Sequence, residues 1–233
     1  AYFRLSGDDS AELVRRMLPL VGAADGPPAH DRDRLAVVRA RRAERAAAYF
    51  ADNAADPQVK MVEIKLSQGA KPGKGGLLPG TKVTREIAEA RGVLEGVDCI
   101  SPAHHSAFDT PVGLLEFIAR LRELSGGKPT GFKLAIGHPW EWFGIAKAML
   151  ETGIVPDFIV VDGAEGGTGA APAEFIDHVG VPMHEGLMLV HNTLVGIGLR
   201  DRVRIAAAGR ITSAFDIART LAMGADWCNA GRG

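Results

Sequence analysis

The sequence predicts an α/β fold of the TIM type, a (β/α)8 barrel that is incomplete, with later strands present, early strands missing and a helical segment in front. Three observations predict it. From Pro57 onward, short apolar or β-branched runs alternate with helix-like segments, the order of a parallel sheet covered by helices. The strand-like runs carry few polar residues. Glycine- or histidine-bearing loops follow several of them at once: QGAKPGKGG, SPAHHS, GHPWEW, DGAEGGTGA, AGRIT and AGRG. In α/β folds the loops at the carboxyl ends of strands are where ligands sit. A full barrel takes about 250 residues, and here the strand pattern is confined to the later part of the chain.

Residues 1–58 are expected to be a helical segment and residues 59–233 the barrel portion. Asp8-Asp9-Ser10 can cap a helix over Ala11–Leu20, with Leu13, Met17 and Leu20 at helical spacing. Gly22 and Gly26-Pro27-Pro28 end it. Asp31–Asn53 reads as an exposed amphipathic helix with Leu35, Val38, Tyr49 and Phe50 as its apolar stripe. The strand candidates are Met61–Leu66, Val97–Ser101, Phe132–Ile136, Phe158–Asp162, Arg204–Ala208 and Trp227–Asn229, with a further one at Tyr2–Leu5. Between them lie helix candidates Arg85–Arg91, Pro111–Ser125, Glu141–Thr152, Met188–Ile197 and Ala214–Met223.

Composition narrows the function classes. Hydrophobic residues make up 46% and charged residues 24% of 233 residues, which suits a globular protein with a real core. The formal net charge of −1 gives no basic field, so neither nucleic acid nor an anionic membrane is an expected partner. The arginine run RARRAER reads as a solvated helix face. Cys99 and Cys228 cannot frame a disulfide scaffold, and a reducing, cytoplasmic setting is expected. No apolar run reaches the roughly 20 residues of a membrane span, and the N-terminus lacks a secretion-signal pattern. It also lacks an initiator methionine, so the chain is expected to be processed or cut from something longer.

Several stretches carry chemistry. Leu66–Gly80, LSQGAKPGKGGLLPG, holds five glycines, two prolines and two lysines. Glycine lets backbone approach a ligand or take positive φ; a surface turn is the other reading. Asp162–Gly169, DGAEGGTG, offers unblocked N–H groups and a hydroxyl for a phosphate or a flat ring. Gly209-Arg210 and Gly231-Arg232 end the last two strands, where barrels commonly bind phosphate, and arginine forks onto its oxygens. Lys133 lies inside the strand GFKLAI, where an unpaired buried ammonium is costly. It faces either solvent or the barrel mouth. His104 and His105, adjacent on an extended segment, point to opposite sides, so one can face a site but they form no metal pair. His138, His178, His184 and His191 lack metal-ligand spacing, and no metal site is expected. Asp162 and Glu165 form no acid/base dyad. Core packing is the expected role of both cysteines.

Taken in order, LSQGAKPGKGGLLPG, FKLAIG, VVDGAEGGTGAAP, GLRDRVRIAAAGRI and GADWCNAGRG resemble the FMN-binding synthase domain of glutamate synthase and its stand-alone bacterial relatives, over Val59–Gly233. The resemblance implies a barrel with FMN at the strand carboxyl ends. There, reduced flavin delivers hydride to the imine of 2-oxoglutarate and ammonia, giving L-glutamate. It implies flavin contacts from Gln68, Lys133, Gly166, Gly167, Thr168 and Gly169, and a phosphate site at Gly209, Arg210, Gly231 and Arg232. Lys133 stands near the polar edge of the ring, so Lys71 and Lys133 are the catalytic candidates. Lys71, Arg91 and His104 are the substrate-binding candidates, two cations suiting two carboxylates. The family loop commonly carries Glu where Lys74 stands and Gln, a substrate contact, where Leu77 stands. The cysteines of the family's iron–sulfur cluster have no counterparts, so no cluster is expected. With no glutaminase domain, ammonia comes from elsewhere. An electron-donor protein or subunit, and a homo-oligomer, are compatible partners. The alternatives are a non-redox barrel binding a phosphorylated metabolite, and an inactive piece of a larger flavoprotein.

Overall fold

A computed structural model describes residues 43–69, 77–91, 93–100, 104–105, 107–165 and 173–231. The chain divides into two units, Ala1–Asp52 and Asn53–Gly233. Residues 43–55 are helical (α1), in agreement with the later part of the expected Asp31–Asn53 helix. The expected elements Tyr2–Leu5 and Ala11–Leu20 lie outside the described residues.

The second unit is an incomplete (β/α) barrel portion. Its strands are β1 (Val62–Lys65), β4 (Thr130–Leu134), β5 (Phe158–Asp162), β6 (Arg204–Ala208) and β7 (Trp227–Asn229). They form one sheet in the order β1-β4-β5-β6-β7, every pair parallel. Its helices are α2 (Arg85–Arg91), α3 (Pro111–Leu124), α4 (Pro139–Thr152), α5 (Met183–Gly196) and α6 (Ala214–Ala222). Their starts have local causes. Thr110 Oγ1 accepts from Gly113 N at 3.0 Å ahead of α3, with proline at its first turn, where the missing N–H has no intrahelical partner to lose. Ser213 and Asp216 cap α6 reciprocally. Gly153, at φ 70, turns the chain out of α4.

One expectation is corrected. Val97–Ser101 does not join the parallel sheet. Cys99–Ile100 (β3) pairs antiparallel with Leu77–Leu78 (β2) in a separate two-stranded ladder. Asp98 takes the Gly80 N–H at 2.6 Å and Gly96 N reaches Val83 O at 3.1 Å, so this segment satisfies its backbone against the chain just before it. β4 also begins two residues earlier than expected and ends at Leu134. Ala135 N is taken by Ser67 Oγ, and Ile136 O accepts from Val181 N, which removes both from the ladder.

The two faces of the parallel sheet differ. Ile64, Phe132, Leu134, Ile159, Val161, Ile205 and Ala207 are buried and lie on the helix side. Gly186 of α5 sits there so closely that a Cβ would be 3.2 Å from Val161 Cγ1. Leu187, Val190, Leu194, Ile118 and Trp142 complete this core. The alternate residues form the other face: Glu63, Lys65, Gly131, Lys133, Phe158, Val160, Asp162, Arg204, Ala206, Ala208, Trp227 and Asn229. On it Phe158, Val160 and Ala206 cluster with Ala208 and Trp227. Gly131 is glycine because a Cβ would lie 2.1 Å from the Phe158 carbonyl oxygen.

Candidate functional site

Because all five strands run the same way, their carboxyl ends share one edge, and the glycine loops leave from it. β1 exits through Leu66-Ser67-Gln68-Gly69. Leu66 N and Ser67 N both reach the Lys133 carbonyl, at 2.9 and 3.4 Å. Ser67 Oγ accepts from Ala135 N at 2.7 Å and donates to Ala135 O at 3.1 Å. Gly69 N donates to Asp162 Oδ2 at 3.1 Å. Gly69 packs so tightly on the next loop that a Cβ would fall 1.9 Å from Gly163 O. Gln68 is half-buried between these contacts.

A second set of contacts joins β5 and β6 to α5. Both carboxylate oxygens of Glu165 accept from Met183 N at 2.9 Å, placing negative charge on the helix N-terminus, where the dipole favours it. Gly163 N donates to Ala208 O at 2.8 Å. Gly209 has φ +145, and a Cβ there would come within 3.0 Å of Met183 Cβ and 3.3 Å of Glu165 Oε2. Arg210 is itself left-handed at φ 44, and its guanidinium pairs with Asp177 at 2.5 Å.

Lys133 lies on the face away from the helices, in register with Lys65 and Val160. Its ammonium stands 3.8 Å from Glu63, and its side chain keeps 21% exposure. The ammonium is therefore paired, which answers the cost of placing it in a strand. Gly231 is exposed at the end of β7, and among the described residues a Cβ there would meet nothing within 4 Å. His104 is exposed. His105 is the structural one of the pair, stacked on Phe108 with centroids 4.6 Å apart and accepting from Ala107 N. Arg91 ends α2. Lys71, Gly166, Gly167, Thr168, Gly169 and Arg232 lie outside the described residues. The structure thus gathers Gln68, Gly209 and Gly231 at the carboxyl edge and Lys133 one residue below the end of β4.

Sequence reasoning missed the ties made by Ser67, Asp162 and Glu165. Their partners lie 68, 93 and 18 residues away, so no local spacing marks them. At the amino edge of the sheet Asp226 bonds Ile205 N at 2.7 Å, Arg200 at 2.9 Å and Arg204 at 3.1 Å. Burial pushes its carboxyl up, but the Ile205 N–H and the two guanidinium groups outweigh it and hold the carboxyl below its ordinary value. Burial pushes the Cys228 thiol up, with the Thr220 hydroxyl opposing, so the thiol stays protonated at neutral pH. Among the described residues no three His, Cys, Asp or Glu side chains cluster to hold a metal, and no helix is long and apolar enough to cross a membrane.

Residues 52–233 match the family model described as the conserved region in glutamate synthase. The glutamate synthase large subunit-like protein YerD of Bacillus subtilis is 41% identical over 84% of this chain and 37% of its own length. The archaeal-type glutamate synthase [NADPH] of Thermotoga neapolitana is 42% identical over 71% of this chain and 32% of its own. The chloroplastic/mitochondrial ferredoxin-dependent glutamate synthase 1 of Arabidopsis thaliana is 39% identical over 71% of this chain and 10% of its own. The chain spans 37% and 32% of the first two relatives, about a third of their length.

Proposed function

The chain belongs to the glutamate synthase family, and from that premise we propose that it forms the FMN-binding, imine-reducing part of a glutamate synthase-like oxidoreductase. The observation that carries the reading is the polar sheet face, with Lys133 in its middle row and close-packed glycine loops at its carboxyl edge.

The residues present fit FMN. Gly69 and Gly209 let the loops of this edge pack on one another, since a Cβ at either would meet Gly163 or Met183, while Gly231 is exposed with open space beside it among the described residues, where a phosphate can approach backbone N–H groups. Gln68 and Lys133 would hold the ring, with the loop of Gly166, Gly167, Thr168 and Gly169. Gly209, Arg210, Gly231 and Arg232 would hold the phosphate, by N–H groups and guanidinium forks. Bound there and reduced by a two-electron donor, FMN would supply the hydride that converts the imine of 2-oxoglutarate and ammonia to L-glutamate. Lys71 and Arg91 would each grip a carboxylate of the dicarboxylate substrate, and His104 would stand at its approach. The Lys133 ammonium, 3.8 Å from Glu63, would stabilise negative charge at the polar edge of the ring.

The ammonia source and the electron donor belong to the same proposal, the donor being a protein or a further subunit. A cytoplasmic setting is part of it too. The test is to purify the chain, add FMN, and follow flavin fluorescence and visible absorbance. Quenching at a one-to-one ratio, and reoxidation of the dithionite-reduced protein on adding 2-oxoglutarate with ammonia, are the expected results. Protein that leaves FMN fluorescence untouched at micromolar concentration overturns the reading.

A further inference from the structure

Gln68 is flanked by two fastened residues. Ser67 is tied through its hydroxyl to both backbone groups of Ala135, just past β4. Gly69 is tied through its N–H to the carboxylate of Asp162, the last residue of β5. The backbone of a residue with both neighbours fastened to different strands cannot swing without breaking one of the bonds. The two ties are unequal. Ser67 bonds to backbone that immediately continues β4, and its hydroxyl is supplemented by the Leu66 and Ser67 N–H bonds to Lys133 O. Gly69 is held by a side chain, and that side chain stands on the polar face, in register with Ala208 and on the same side as Val160 and Lys133.

The packing sharpens this. Gly69 is buried, and its Cα hydrogens face Gly163 O so closely that no larger residue fits in this arrangement. Gly69 therefore lies on Gly163, with the Asp162 carboxylate accepting its N–H and the Gly163 carbonyl closing off the space beside its Cα. Asp162 itself is a carboxylate on a strand end in a row otherwise made of small or neutral groups, Ala208 and Asn229.

We propose that Asp162 is a positioning residue for the ring side of the cofactor site: its carboxylate, by accepting the Gly69 N–H, sets the backbone pose of Gln68. The cofactor part of this rests on the proposed function; the tie itself does not, and it is measurable without FMN.

The experiment uses the full 233-residue chain with two readouts. The first is residue-resolved amide hydrogen exchange of the FMN-free protein. In Asp162→Ala the Gly69 amide exchanges roughly ten- to a hundredfold faster, the loss expected for a hydrogen bond to a charged acceptor. The Ile159 amide, in the middle of β5, changes by less than about twofold, since the ladder around it is intact. In Asp162→Asn the amide oxygen still accepts, so Gly69 is accelerated by less than about tenfold. The second readout is FMN affinity by fluorescence quenching: the dissociation constant rises about tenfold or more in Asp162→Ala and returns most of the way in Asp162→Asn. Unchanged Gly69 exchange in Asp162→Ala overturns the proposal. So does equal acceleration at Gly69 and Ile159, which makes Asp162 a support of the whole fold. Should the parent chain take up no FMN, the proposed function falls while the exchange result still decides the tie. If Asp162→Ala does not fold, Gly69→Ala crowds the same residue against Gly163 O and pulls its N–H from the Asp162 carboxylate. Weakened FMN binding with Ile159 exchange unchanged then supports the proposal, and parental FMN affinity overturns it.

Discussion

Replacing Gly209 and Gly231 by alanine, one at a time, separates what the fold needs from what a phosphate needs. Gly209 has φ +145, a region costing a side-chain-bearing residue about 1–3 kcal/mol. An added Cβ would also stand 3.0 Å from Met183 Cβ and 3.3 Å from Glu165 Oε2. Met183 is buried and pinned at the start of α5 by both Glu165 oxygens, so it cannot yield, and the crowding adds about 1 kcal/mol. Gly209→Ala therefore costs roughly 2–4 kcal/mol, which for a chain of this size lowers Tm by roughly 5–15 °C. Gly231 has ordinary φ and nothing within 4 Å of an added Cβ among the described residues. Its alanine variant should melt within about 2 °C of the parent. If the phosphate lies against Gly231, that methyl occupies its approach, and the FMN dissociation constant rises tenfold or more at unchanged Tm. Differential scanning fluorimetry and FMN fluorescence titration read both quantities. A Gly209→Ala protein melting with the parent refutes the strain argument, and parental FMN affinity in Gly231→Ala removes the phosphate from that loop.

Three further outcomes are expected. Lys133→Met removes a partner of Glu63 that keeps 21% exposure and stands 3.8 Å from it, and costs about 1 kcal/mol of stability or less. In stopped-flow, reoxidation by 2-oxoglutarate and ammonia should slow by about a hundredfold or more, the scale of losing one preorganised electrostatic group; parental rates would remove Lys133 from the chemistry. Asp226 has a lowered pKa, so its contribution to stability is present above the ordinary carboxylate value and is lost as pH falls through the lowered one. Asp226→Asn should flatten the decline in urea midpoint from about pH 5 downward, and an unchanged slope would contradict the assigned bonds. Asp177→Asn breaks an exposed pair with Arg210 and should leave Tm within the small range of surface ion pairs, below about 1 kcal/mol, without weakening FMN, whereas Arg210→Ala should weaken it; equal losses of affinity would mean that the pair, and not the free guanidinium, matters.

What the sequence made legible follows from how local each cause is. FIVVD and REIAEAR coincide with β5 and α2 residue for residue, because continuous apolarity and helix-forming composition act within the segment. α5 begins at Met183, five residues before the expected Met188, because its first N–H is satisfied by Glu165 from a distant loop. Leu77–Leu78 was hidden as a strand inside a glycine- and proline-rich loop, and its pairing with Cys99–Ile100 depends on a turn through α2 and not on the residues themselves. Lys133 was legible as an anomaly, a cation in an apolar strand, but its partner Glu63 lies on another strand 70 residues earlier and carries no signal of that pairing.

The contrast between the two sheet faces narrows the fold further than strand order does. In an open doubly wound sheet both faces are covered by helices, and both read as apolar. Here the helix side carries no charged residue, only Thr130 and Cys228 among apolar ones, while the other side carries Glu63, Lys65, Lys133, Asp162, Arg204 and Asn229 around an apolar patch of Phe158, Val160, Ala206 and Trp227. A second helical layer would take those charged groups out of water, at several kcal/mol for each ion before its partners repay it. A curved sheet whose inner face meets its own side chains low down and a ligand at the carboxyl edge accommodates them. The rows agree with that division: Phe158 and the space left by Gly131 sit below, Val160, Ala206 and Lys133 above, and Asp162, Ala208 and Asn229 at the rim. Substituting Ala206 by Leu tests this, since a filled interior would lose stability by about 1–3 kcal/mol from overpacking against Phe158 and Trp227. A face open to solvent would accept the extra methylenes with no fall in Tm.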